Sequence, residues 1–181
     1  STSRNWAVWV PDYLERFPPD PIRYHLAAAM PETSDSDFSW SEYVRRNNDE
    51  LVATFGNLVH RVLTIVGRNF DSRAPGAIPD PGMMTKCDTL LDAVAISLDD
   101  APRFREALGH AMALARETNR YLDAQAPWKQ VREDRDGAAI TIATALYAIS
   151  GLKTALYPFI PFSAQKLHEL LGFEGNVAAQ G

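Results

Sequence analysis

The stretch Ser34–Arg68, SDSDFSWSEYVRRNNDELVATFGNLVHRVLTIVGR, decides how this chain folds. Ser39 stands three residues before Glu42, the S-x-x-E arrangement in which a side-chain oxygen covers an orphan N–H of the first helical turn. Phe38, just before the cap, is placed to staple onto Tyr43. Leu51, Phe55, Leu58, Val62 and Ile65/Val66 then recur at three- and four-residue steps, which predicts one amphipathic helix from Ser39 to about Phe70. At about 1.5 Å per residue it would be about 45 Å long. Asn57, His60, Arg61, Thr64 and Arg68 share another face, and no Asp or Glu occurs from Leu51 to Phe70.

Two readings of that face stand side by side. In a chain of net charge -5, an acid-free face bearing Arg, His and Asn suits an anionic or hydrogen-bonding partner, and Asn57 with Arg61 one turn later could read the edge of an unpaired base. Arg and Asn on a surface helix are also, in the ordinary case, simply solvated.

Outward from this helix, Pro and Gly punctuate further helical text. Asp20-Pro21 reads as N-cap and N1 of a short helix ending at Pro31. DSRAPGAIPDPG, residues 71–82, reads as a loop, followed by a helix from Thr85 to about Ser97. Asp100 with Pro102 starts another, in which Phe104, Leu108, Met112, Ala115, Asn119 and Leu122 share one side until Pro127. Asp134 or Asp136 caps an apolar helix to about Leu156, and Ser163–Leu171 is a last short helix closed by Gly172. WAVWV, residues 6–10, is the one candidate strand. The expected architecture is all-α, an antiparallel helix bundle over 38–181 behind a connector over 1–37.

With 181 residues and 46% hydrophobic content the chain can bury a sizeable core. Its single cysteine, Cys87, excludes an internal disulfide and suits a reducing, cytoplasmic setting. The four histidines, His25, His60, His110 and His168, have no metal-binding spacing, so no metal site is expected. No run reads as a membrane span and no signal peptide is visible. The acidic balance excludes general phosphate neutralisation as the main binding mode, but recognition of single-stranded loops needs only a local patch. Trp128, just after Pro127, could offer a base a stacking platform or plug the end of the core. Trp6, Trp9 and Trp40 are better explained by packing.

DPIRYHLAAAMPETSDSDFSWSEYVRRNNDELVATFGNLVHR (20–61), YLDAQAPWK (121–129) and ALYPFIPFSAQKLHELLG (155–172) together resemble the C-terminal half of methionyl-tRNA synthetases. The resemblance implies a stem-contact connector followed by an anticodon-binding bundle. It assigns anticodon contacts to Asn57 and Arg61 and base stacking to Trp128. It also makes Ser1, Thr2 and Ser3 the remnant of a KMSKS-type ATP loop, so a fragment of a longer chain is expected. The catalytic domain would lie upstream, and no catalytic residue is intact here. ATP with magnesium, and methionine, are implied for the parent ligase, whereas this fragment needs no cofactor. The implied partners are methionine tRNA, through its anticodon loop, and that upstream domain, with no membrane. A free-standing protein-interaction module that lost tRNA binding is the alternative.

Overall fold

The computed structural model describes residues 8–30 and 38–180, so Ser1, Thr2, Ser3 and Trp6 lie outside the described residues. Every regular element among them is helical. Short helices α1 (Val10–Leu14) and α2 (Pro19–Ala28) precede α3 (Trp40–Arg46), which runs through a π-helical segment (Asn47–Gly56) into α4 (Asn57–Asn69). Then come α5 (Pro81–Leu98), α6 (Phe104–Gln125), α7 (Pro127–Glu133), α8 (Arg135–Leu156), α9 (Pro161–Leu170) and a single 3-10 turn (Val177–Gln180).

The bundle is built on α5, α6 and α8, which pack against one another, with α4 and the π segment closing one side. Leu58, Val62, Leu114, Ile142, Ile149 and Leu152 are fully buried in the shared core. α8, with 22 residues, is long and apolar enough to cross a membrane by length and composition, although no run was expected to read as a membrane span. Its composition follows from its central place, since 61% of its most apolar window is buried inside the bundle. Contact there is close: a Cβ on Gly151 would lie 2.5 Å from Leu91 Cδ1 of α5.

The long helix begins as its sequence requires. Ser39 Oγ accepts the Glu42 N–H at 3.3 Å, and Phe38 packs on Tyr43 with ring centroids 6.2 Å apart. The Glu42 carboxylate turns to arginines, accepting from Arg45 Nε at 2.9 Å and Nη2 at 2.7 Å and lying 2.9 Å from Arg46 Nε. The Arg45 hydrogen bond, ahead of the charges of both arginines, holds its carboxyl down at about 2.

Beyond Arg46 the expected uninterrupted α-helix gives way to π geometry, in which bonds close over five residues. The Asn57 N–H donates to Val52 O, and Thr54 Oγ1 donates to Asp49 O at 2.7 Å. Gly56 suits the segment because a Cβ there would stand only 3.1 Å from Leu51 O. The downstream apolar stripe is nevertheless as expected, with Leu58, Val62 and Val66 buried.

Several other expectations are corrected. Val10 starts a helix where WAVWV suggested a strand; Pro11 fits the first turn of a helix. α2 begins at Pro19, and Asp20 does not cap it. The buried Asp20 carboxylate instead reaches across the fold to the start of α9, accepting from Ser163 N at 2.6 Å and Phe162 N at 3.4 Å. Arg23 Nη2 donates to Pro158 O at 2.9 Å in the same corner. α5 starts at Pro81, four residues before Thr85, because Asp80 Oδ1 accepts the Met83 N–H at 2.7 Å and Pro81 occupies N1. Neither Asp100 nor Pro102 starts α6, which begins at Phe104 without a side-chain cap. Asp134, not Asp136, caps α8 through Gly137 N at 3.0 Å. Trp40 does pack edge-on to Phe38 and Tyr43, but Trp9 is 64% exposed and packing accounts for little of it.

Candidate nucleic-acid interface

Where the π segment ends, α4 carries Asn57 in its first turn and Arg61 in its second, and the Arg61 side chain emerges beside the last turns of α6. Arg61 donates through Nη2 to Asp123 Oδ1 at 2.6 Å and through Nη1 to Asn119 Oδ1 at 3.4 Å. Asn119 in turn donates from Nδ2 to Thr54 O at 2.9 Å and to Ala115 O at 3.1 Å. One amide therefore ties α6 to a π-segment carbonyl and faces the arginine with its oxygen. Asp123 is 64% exposed, so the ion pair contributes little to folding and acts mainly to orient the guanidinium.

Trp128 reaches the same place by a different backbone device. α6 stops at Gln125, Ala126 takes a left-handed conformation at φ 49°, and Pro127 restarts the chain as N1 of α7. The turn aims the indole back at α4, where the Arg61 Cζ lies 5.0 Å from the ring centre. That separation is a cation–π contact. Trp128 remains 43% exposed, which a plug in the core would not be.

The site thus joins Arg61 and Trp128 directly, with Asn57 one turn upstream. Asn57 is exposed, and its amide makes no hydrogen bond with another described residue, which leaves both its donors and its acceptor available. Asn57 and His60 also line an open groove of 790 Å³ between α4, the start of α2 and α9. Asn119 and Asp123 are the members that sequence reasoning missed. The signal lay in the stretch NRYLDAQAPW, since Asn119 and Asp123 are one turn apart on α6, but the period placed Asn119 in the core stripe.

No group of three metal-capable side chains occurs among the described residues. A buried polar pair joins α8 to α9: His168 Nδ1 lies 3.2 Å from Lys153 Nζ, and burial lowers the lysine's proton affinity.

An all-α bundle presenting an unpartnered amide, an oriented guanidinium and a half-exposed indole is suited to reading unpaired bases. The comparisons agree with that class. Residues 79–179 match the family model described as the anticodon binding domain of methionyl tRNA ligase, and residues 1–63 match tRNA synthetases class I (M). The chain belongs to the former family. Methionine–tRNA ligase of Thermomicrobium roseum is 51% identical over 98% of this chain, and that of Roseiflexus castenholzii is 49% identical over 99%, each match covering 31% of the relative. The chain therefore spans about a third of the length of these curated relatives. Methionyl-tRNA synthetase of Mycobacterium tuberculosis in its apo form superposes with a TM-score of 0.81 at 27% identity, over 86% of this chain and 33% of that one. Its complex with methionyl-adenylate gives 0.81 at 26% identity, over 90% and 34%.

Proposed function

We propose that this chain is the anticodon-reading part of a methionine–tRNA ligase, a cytoplasmic enzyme that joins methionine to its tRNA. The observation that carries this reading is the Arg61–Trp128 contact, with the unengaged Asn57 amide one turn away. Asn57 and the free N–H groups of Arg61 address base edges, while the indole supports a base on the face that Arg61 leaves open. A base presenting the wrong edge leaves these polar groups desolvated and unpaired, at about 1–3 kcal/mol per group, and that difference is the specificity.

Within the ligase, residues 1–37 connect to the stem-contact side and 38–181 form the recognition bundle. Catalysis belongs to an upstream domain, where ATP with magnesium and methionine would be used. Ser1, Thr2 and Ser3, the ATP-loop remnant, lie outside the described residues, and no other residue of this chain is assigned a part in that chemistry. The chain alone is expected to show no methionine-dependent ATP–pyrophosphate exchange.

Filter binding with methionine tRNA and with the same tRNA altered only in its anticodon tests the reading. A preference for the unaltered anticodon that Arg61→Ala abolishes is the expected result. Equal binding of both tRNAs would point to a bundle kept only for protein contacts.

A further inference from the structure

Base reading uses only one edge of the open groove of 790 Å³ that runs between the π segment, α4, the start of α2 and α9. Leu51, Phe55 and Val59 line it from the long helix, and Phe162, Lys166 and Leu170, four residues apart and so on one face, line it from α9. Val52, Phe162 and Leu170 are each more than half exposed. Apolar surface concentrated in a concavity marks a binding site, and the volume lies within the roughly 300–1,000 Å³ of small-molecule pockets.

The polar groups of the groove select the kind of molecule that fits. Asp20, the one carboxylate among the described residues that line it, is buried and already accepts the N–H groups of Phe162 and Ser163. The Lys166 ammonium is exposed and only loosely paired, 3.8 Å from Glu169. Asn57 and His60, three residues apart on α4, contribute an unengaged amide and an exposed imidazole. A cation and hydrogen-bond donors without a free acid complement an anionic head, and the apolar walls complement a hydrocarbon body. A cationic amphiphile would set a like charge against Lys166, and a wholly polar ligand would leave the walls wet.

We propose that this groove binds a free aliphatic carboxylate of fatty-acid type, its chain on the apolar walls and its head directed to Lys166 and the α4 donors. Asn57 belongs to both the groove and the base-reading edge, so an occupied groove competes with tRNA. The competition rests on the anticodon reading; the binding itself does not.

The full chain is to be titrated with dodecanoate and with dodecyltrimethylammonium, both below micelle formation, by calorimetry and amide NMR. Dodecanoate should bind one-to-one, shift the resonances of Phe162, Leu170 and Asn57, and bind about five-fold tighter than the cation, the scale of one exposed ion pair. Leu170→Asp, at an exposed position, should abolish binding, and Lys166→Glu should reverse the preference between the two heads. Binding that does not saturate, equal affinity for both heads, or resonance shifts confined to other parts of the bundle would overturn the site. A dimer in sedimentation that Leu170→Asp disperses would overturn it as well, by making a second copy the occupant. The affinity for methionine tRNA should fall as dodecanoate fills the groove. If Asn57→Ala weakens tRNA binding and dodecanoate does not, the shared use of Asn57 is overturned and the anticodon reading stands. If Asn57→Ala leaves tRNA binding unchanged, the part of Asn57 in anticodon reading falls, and the direct titration decides the groove.

Discussion

Two polar clusters flank the bundle, and each contains an aspartate and an arginine. At the Asp20–Arg23 corner the printed contacts go to the fold: a buried carboxylate covers two N–H groups at the start of α9, and the guanidinium donates to the Pro158 carbonyl. At the Asn57–Arg61–Trp128 edge the same chemical types are left partly open, with the Asn57 amide unengaged and Asp123 mostly in solvent. The difference teaches that an Asp and an Arg sharing a cluster do not announce its role. Burial, and what remains unsatisfied, decide whether such a pair holds the molecule together or offers it to a partner.

The sharpest way to break this contrast is Asp20→Ala. Loss of two charge-assisted hydrogen bonds, with two N–H groups orphaned, should cost about 2–4 kcal/mol of stability. For a chain of this size that is a fall in Tm of about 5–15 °C, read by thermal unfolding. The affinity of the folded fraction for methionine tRNA should not change. Weakened binding with an unchanged Tm would mean that the two clusters have been assigned the wrong way round.

Next in size, Arg61→Ala should weaken tRNA binding by about 1–3 kcal/mol with little effect on Tm. Arg61→Lys should not restore it, because an ammonium keeps the charge and loses the planar fork. Trp128→Ala should cost a similar 1–3 kcal/mol of binding. A core role for the indole would show itself as about 3–5 kcal/mol of lost stability. The double variant should lose less than the sum of the two, since each residue organises the other, and a double-mutant cycle measures the shortfall.

The smallest effect concerns the start of the long helix. The Glu42 carboxyl is depressed from 4.5 to about 2, so its contribution is complete above pH 4.5 and is lost as the pH falls toward 2. Because the group faces solvent, the loss should appear as local fraying and not as unfolding. The side-chain carboxyl resonance of Glu42 should titrate near 2, and Arg45→Gln should move it back toward 4.5.

The bundle was legible because its helices carry period and caps: Ser39, the Leu58–Val62–Val66 stripe and Gly172 all sit where local rules put them. Misreadings arose where a residue satisfies something distant or where two local rules compete. Asp20 looked like a local cap, yet its partners lie on another helix. Pro81 was read as a breaker although, after Asp80, it is a helix starter. The π segment left no sign, since α and π turns accept the same residue types and differ in hydrogen-bond closure. The acid-free face raised Asn57 and Arg61, and the position after Pro127 raised Trp128, beside a solvated face and a core plug, and only the family resemblance chose between those readings; Asn119 and Asp123 emerged only when α6 and α4 were set side by side.

The Asp20–Ser163 contact also has a consequence in time. The two residues are 143 positions apart, so when Asp20 leaves the ribosome its partner has not been made. At roughly 5–20 residues per second the carboxylate waits on the order of 10–30 seconds for the N–H groups of α9. Until then the corner is an unpaired charge beside exposed apolar helix faces. The corner that looks most static in the finished molecule therefore cannot form until the start of α9 has been made.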